Sequence, residues 1–266
     1  YADIVAFALD PVFNRPLGGH PYYVAGLEMS RFLHETCSTK EQCAQVVVKN
    51  KRNALDNPYA GHPANITMDQ VLESEPCFYP LSRLDISPLA DGCVVMVLAS
   101  EDVANKLTDK PVWIRGVGWN TETPWLETRN WGNALYTELA ARMAYKMAGI
   151  NNPKKIIEFA EVSDIFSYKE LQHLEALQLC RCGEAGKLTE EGATERNGCL
   201  PVNPSGGLLG MGFGLEASGL QKVLEVVLQL RGEAGERQLD GVETGLAQTW
   251  RGIPTASGAV AVLSNC

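Results

Sequence analysis

Residues 217–230 are the stretch that most constrains the fold. Leu220, Val223, Leu224, Val226, Val227, Leu228 and Leu230 occupy nearly every side of one predicted helix. A helix that is apolar all round has to be buried all round, so this one calls for a sheet against each face. The rest of the chain supplies about one sheet's worth of strands. The shortfall implies a missing half of the fold or a tightly bound partner layer.

Periodicity gives the other elements. The apolar run 94–99 predicts a buried strand, and 112–119 alternate like a second. Further strands are expected at 156–162, 242–247 and 259–263, and helices at 24–34, 39–53, 131–149 and 167–179. Thr39 with Gln42 gives the 39–53 helix a capping box. Leu135, Leu139, Met143 and Met147 lie four apart and mark one face of the 131–149 helix, with Gly149 suited to its stop. Between residues 10 and 83, prolines such as Pro11, Pro16, Pro58, Pro63 and Pro76 keep the chain irregular outside its two helices. Strands alternating with helices argue for an α/β layered fold.

Composition enters mainly as exclusion. A net charge of −9 over 266 residues argues against a general nucleic-acid surface. No apolar run approaches the roughly 18 residues that span a membrane. Neither nucleic acid nor membrane is an expected partner, and the expected location is cytoplasmic. The eight cysteines are scattered, with Cys77 and Cys93 in apolar stretches; this predicts reduced, mostly buried thiols rather than a disulfide framework. Cys180, Cys182 and Cys199 match no common zinc spacing and have no histidine nearby, so no metal is expected. The chain opens on Tyr1 without a basic leader, and reads as processed, split or truncated.

Several residues are candidates for chemistry. The sequence Gly212-Phe213-Gly214-Leu215-Glu216-Ala217 fits a loose dinucleotide pattern before a helix, but too little chain follows to build a nucleotide fold. The plainer reading of the Gly-rich loop 205–214 is close backbone approach to a ligand or an opposite sheet. The helix N-terminus facing it could stabilise an anion. His20, between Gly19 and Pro21, is either a functional or a structurally bonded loop histidine. His173, one turn from Lys169, reads as a surface or packing residue. His34 suits a helix end, and His62 sits in a turn. Asp164 directly follows a strand, where carboxylates line sites in α/β folds but also cap helices. Trp113, Trp119, Trp125 and Trp131 come at six-residue spacing and are expected in the core or an interface, an aromatic acyl pocket being the alternative. Lys49, Lys51 and Arg52 form a solvated helix face or a phosphate contact.

Four stretches together resemble the sterol-carrier-protein-type branch of the thiolases. One is Val48-Lys49-Asn50-Lys51-Arg52-Asn53 with Asn57-Pro58-Tyr59. The second is Asp85-Ile86-Ser87-Pro88-Leu89-Ala90-Asp91-Gly92, before an apolar run. The third is Ser163-Asp164-Ile165-Phe166-Ser167 followed by Glu175-Ala176-Leu177. The longest begins at Asn203-Pro204-Ser205-Gly206-Gly207-Leu208 and runs to Gly235. The resemblance extends from His20 to the end.

The resemblance implies a thiolase-like layered αβαβα fold, of which this chain holds the CoA-covering loop domain (1–84) and the C-terminal half (85–266). It implies carbon–carbon bond cleavage or formation on acyl-CoA, with coenzyme A as substrate or product and a cysteine that carries the acyl group. That cysteine belongs to the N-terminal half, and none of the eight here occupies its motif. The family loop Gly-His-Pro-x-Gly matches Gly212 to Glu216, so Phe213 replaces the histidine and cannot transfer a proton. The Asn-Glu-Ala-Phe or His-Asp-x-Phe motif matches Ser163 to Phe166, so Ser163 replaces Asn or His beside Asp164. The late catalytic cysteine has no counterpart around 248–258. By resemblance Ser87 matches the serine at the pantetheine arm, His20 and Arg52 lie in the loop domain over CoA, and Gly206 and Gly207 belong to the cofactor-facing loop. Implied partners are an N-terminal thiolase half or full-length protomer, further copies in a homo-oligomer, and, in retro-aldolase relatives, a small zinc-ribbon/OB-fold protein. Three roles follow: a thiolase-type enzyme, a retro-aldolase acting on a 3-hydroxyacyl-CoA such as a steroid side chain, or a non-catalytic CoA-binding subunit.

Overall fold

A computed structural model describes residues 2–20, 22–123, 125–253 and 255–266. Its helices are α1 (Ala2–Ala6), α2 (Tyr22–Thr36), α3 (Lys40–Asn53), α4 (Met68–Leu72), α5 (Glu101–Leu107), α6 (Leu135–Ala148), α7 (Pro153–Ile156), α8 (Ser167–Ala176), α9 (Ala185–Glu190), α10 (Gly207–Met211) and α11 (Ala217–Arg231). Its strands are β1 (Pro76–Phe78), β2 (Leu81–Ser82), β3 (Trp113–Thr121), β4 (Phe159–Glu161), β5 (Thr244–Trp250) and β6 (Ser257–Ser264). β1 and β2 form a small hairpin, and the other four form one sheet in the order β3-β6-β5-β4. β6 runs antiparallel to both neighbours, whereas β4 and β5 are parallel.

Alternation of side chains across the sheet separates two cores. Leu246, Trp250, Val260 and Val262 point into the larger one, shared with α2, α3, α6 and α8. Phe159, Ala247 and Leu263 point the other way, against Val226 and Leu230 of α11. α6 lies very close to its face of the sheet. A methyl group built on Gly116 would overlap the Ala144 carbonyl oxygen, and one on Gly118 the Ala140 carbonyl oxygen. Glycine on the strand and alanine on the helix are what permit that approach.

This close approach corrects the expected orientation of α6. Its buried face is Tyr136, Thr137, Ala140, Ala141, Ala144 and Tyr145, while Met143 and Met147 are exposed. The larger side chains of the predicted stripe could not have fitted against the strand. The Thr39–Gln42 capping box and the left-handed Gly149 stop both form as expected.

α11 also departs from expectation. Instead of being buried all round by apolar contacts, it turns Ser218, Lys222, Glu225 and Gln229 inward with Val226 and Leu230, and Leu220 is 47% exposed. Charge pairing makes this possible: Arg237 Nε meets both Glu225 oxygens at 2.9 and 3.0 Å, and Gln229 bonds Glu225, the Arg237 carbonyl and the Leu239 N–H. One sheet covers the helix, and among the described residues no second sheet lies over its other side.

Residues 94–99 form no strand. Val95 and Val97 are 82% and 86% exposed, because no described strand offers them a ladder. The expected strand 156–162 shortens to β4, with Pro153 opening α7 ahead of it. Nor are the cysteines mostly buried: Cys43 and Cys180 are, whereas Cys37, Cys93, Cys182, Cys199 and Cys266 are exposed. Trp119 and Trp125 are exposed, which leaves an interface rather than the core as the expectation for them, and the buried indole is Trp250. Lys49 and Lys51 are not a solvated face. Lys49 Nζ donates to the Val202 carbonyl and pairs with Glu170 at 3.1 Å, and Lys51 Nζ donates to the carbonyls of His62 and Leu209.

Candidate functional site

The site is assembled where the end of β4, the segment after β2 and the Phe213 turn are stitched together by backbone. Ser87 N–H donates to Ile165 O at 2.8 Å. Phe213 N–H donates to Pro88 O at 2.7 Å, and Ala90 N–H to Phe213 O at 3.1 Å. The residues 86–90 therefore lie between the Ser163–Phe166 motif and the Phe213 turn. Gly212 adopts φ 100°, and a methyl on it would stand 2.5 Å from Ala90 Cβ, so only glycine allows the turn to lie this close.

Asp164 does cap a helix, but not the one that follows it. Its buried carboxylate accepts the N–H groups of Leu208 (2.6 Å) and Leu209 (3.2 Å) at the start of α10, and the Asn50 side-chain amide at 2.8 Å. Lys222 Nζ stands 3.9 Å away. Negative charge at a helix start is favourable, which explains a fully buried carboxylate here. Gly206 and Gly207 have positive φ and pack against Ala54 and the Asp164 carboxylate respectively. Around them lies a dense polar layer. Asn50 and Asn203 each donate to Glu170, and Ser205 donates to Glu161 through both N–H and hydroxyl. Burial pushes the Glu161 carboxyl up to about 7, against the pull of Lys222.

Ser163 is 1% exposed. Its N–H donates to Gln248 Oε1 at 2.9 Å, and its hydroxyl has no hydrogen-bond partner. The hydroxyls of Ser87 and Ser218 are likewise buried and unpaired. An unmet buried hydroxyl costs roughly 1–3 kcal/mol, so three of them in segments joined to Phe213 mark this region as chemically unfinished. Phe213 itself is 4% exposed and lines a cavity of about 840 Å³ with Trp119, Trp250, Ile253 and, from α1, Ile4 and Val5.

The other predicted residues lie further out. His20 is exposed, stacks on Phe78 with centroids 4.9 Å apart, and accepts the Tyr22 N–H through Nδ1 at 3.1 Å. Tyr22 in turn meets the Phe166 ring edge-on at 5.1 Å. Arg52 is exposed and pairs with Glu195. Sequence reasoning missed the cluster behind Ser163: His173 and Gln248 bond its backbone, Tyr136 bonds His173, and Lys169 bonds Tyr136. Of the two expectations for His173, surface or packing, the structure shows packing, because α8 is covered on its polar and apolar sides alike. No amphipathic pattern could have revealed that. Among the described residues no three or more of His, Cys, Asp and Glu come together as a metal site would need, and no described helix is long and apolar enough to cross a membrane.

Residues 124–265 match the family described as thiolase C-terminal domain-like. The chain belongs to that family. It is 40% identical over 217 residues to an acetyl-CoA acetyltransferase of Methanothermobacter thermautotrophicus, covering 81% of this chain and 56% of that protein. To sterol carrier protein 2 of Oryctolagus cuniculus it is 35% identical over 247 residues, covering 90% of this chain and 45% of that protein. The solved Ltp2-ChsH2(DUF35) aldolase superposes on all of this chain and 68% of its own, with a TM-score of 0.82 at 25% identity. The chain thus has the thiolase-like α/β fold expected from its sequence, and spans about half the length of the curated relatives it matches.

Proposed function

We propose that residues 1–84 and 85–266 act as the CoA-covering loop domain and C-terminal half of a thiolase-like enzyme. The enzyme makes or cleaves a carbon–carbon bond in a 3-oxoacyl-CoA with a branched or aromatic acyl group. The observation that carries this reading is the set of three unpaired, buried serine hydroxyls in segments bound to the Phe213 turn. Coenzyme A is substrate or product, with Ser87 at the pantetheine arm, His20 and Arg52 in the covering domain, and Gly206 and Gly207 shaping the loop. Ser163 and Asp164 stand where the family's acid–base motif lies. No resident metal belongs to this reading.

An N-terminal half or a full-length protomer supplies the nucleophilic cysteine and the missing layer. The apolar surface left open at Val95, Val97, Leu98 and Leu220 supports this. Assembly into a homo-oligomer belongs to the same reading.

A specific observation favours a second reading, a retro-aldolase acting on a 3-hydroxyacyl-CoA with a small zinc-ribbon/OB-fold partner. Phe213 has no proton to give and cannot act where thiolysis uses histidine, and the likeness to the aldolase complex runs along the whole chain. The test uses the protein purified with its natural companion chains. Cleavage of benzoylacetyl-CoA that requires free CoA is expected. Cleavage of 3-hydroxy-3-phenylpropionyl-CoA without free CoA would select the retro-aldolase, and neither activity would leave a non-catalytic CoA-binding subunit.

A further inference from the structure

His173 lies outside the motifs that carry the resemblance, yet its ring is fully buried directly behind Ser163. The hydrogen-bond directions around it can be assigned from its partners. The Ser163 carbonyl oxygen only accepts, so His173 Nδ1, 2.8 Å away, carries the proton. Nε2 then offers a lone pair and accepts the Tyr136 O–H at 2.9 Å. The Tyr136 oxygen accepts from Lys169 Nζ at 3.2 Å. Lys169 is held by Glu28 and Gln172, each at 2.7 Å, and lies 4.1 Å over the Trp250 ring. From Lys169 through Tyr136 to His173, each donor in this chain points toward the Ser163 peptide.

A second anchor holds the same peptide from the other side. Gln248 accepts the Ser163 N–H, and its own amide donates to Thr137 Oγ1 at 3.1 Å. The backbone of Ser163 is therefore gripped at both N–H and C=O while its hydroxyl is unpaired. Burial and the neighbouring Lys169 hold the imidazole well below the usual histidine range, with Lys222 adding in the same sense. A neutral ring with one fixed tautomer is what a directional clamp requires.

We propose that His173 is a positioning residue: by donating from Nδ1 to the Ser163 carbonyl, it fixes the Ser163 peptide so that the free hydroxyl is aimed at the carbonyl oxygen of a bound acyl thioester. This rests on the reading of Ser163 as part of the acyl-CoA site. The expected consequence is a Ser163 hydroxyl whose contribution to turnover depends on His173.

The test is a double-mutant cycle on the protein with its companion chains, using benzoylacetyl-CoA with free CoA and 3-hydroxy-3-phenylpropionyl-CoA without it. His173→Leu lowers kcat roughly tenfold, the scale of one misplaced hydrogen bond, with little change in KM. His173→Asn, whose amide can reproduce the Nδ1–H donor, recovers most of the loss. In a Ser163→Ala background His173→Leu costs nothing further. Additive losses would overturn the proposal, since a merely structural histidine acts independently of the hydroxyl. If His173→Leu fails to fold, Tyr136→Phe, which removes the donor to His173 Nε2, takes its place in the cycle, with His173→Asn as the control that keeps the Nδ1–H donor. Ring 15N spectra of the unaltered protein give the independent readout: a neutral Nδ1–H tautomer between about pH 5 and 8 is expected, and a charged or Nε2–H ring would break the chain itself. If Ser163→Ala is silent while the spectra show the Nδ1–H tautomer, Ser163 is not in the site, and the proposal falls with that reading rather than with the hydrogen-bond chain.

Discussion

The two faces of the four-stranded sheet solve the same packing problem in opposite ways. On the α6 face, glycines of β3 meet alanines of the helix, and backbone approaches backbone over a large apolar core. On the α11 face the apolar core is small, and the helix turns a polar stripe inward in which Glu225 and Gln229 are satisfied by Arg237 and the neighbouring loop. The first face is complete within the chain. The second leaves Leu220 exposed beside a groove that it lines with Val117, Trp119 and Ala261 of the sheet. A sheet face can thus be packed by shape alone or with the help of charge pairing.

The comparison can be broken from the charged side first. Arg237→Met leaves Glu225 buried without its partner and is expected to cost about 3–5 kcal/mol in urea unfolding. Glu225→Met with Arg237→Met should recover most of that; if it does not, the stripe matters for more than pairing. On the other face, Gly118→Val forces a side chain into the Ala140 carbonyl and should cost about 3 kcal/mol in the same experiment. A tolerated valine would mean that α6 can lift away, and the face is not shape-determined.

A pH measurement sharpens the polar side. The folded Glu161 carboxyl binds its proton more tightly than the unfolded one, so the stability it contributes is full below its ordinary 4.5 and is lost as pH rises through about 7. Glu161→Gln should remove about 3 kcal/mol of that pH dependence, read from unfolding free energies across the window. An unchanged slope would place the titration elsewhere. The smallest effect belongs to the open surface: Leu220→Ser should change the stability of this chain by less than about 0.5 kcal/mol, and a larger loss would reveal a contact made by α11 on that side.

Much of the scaffold is legible in the sequence. The Thr39–Gln42 box, the Gly149 stop and the strands near β3, β5 and β6 follow from local chemistry that tertiary packing had no reason to override. The burial directions of α6 and α11 are not legible, because they depend on glycines in β3 and on Arg237, residues outside the helices themselves. The run 94–99 has strand composition without a described strand beside it, and composition cannot supply a neighbour. In the site, Ser163 and Phe213 are singled out by the motifs in which they stand. The cluster behind Ser163 cannot, since Tyr136, His173 and Gln248 come from three separate elements, and nothing in the chain order announces their meeting.

Asp164 and the helix start it caps are 44 positions apart in sequence. α10 has five residues, too few to persist on its own. Its first turn therefore depends on β4 being docked so that the Asp164 carboxylate is in place. The amides of Leu208 and Leu209 should accordingly exchange with solvent only as slowly as the sheet itself opens. The order of this loop depends on a contact made across the fold, and its integrity reports on the whole.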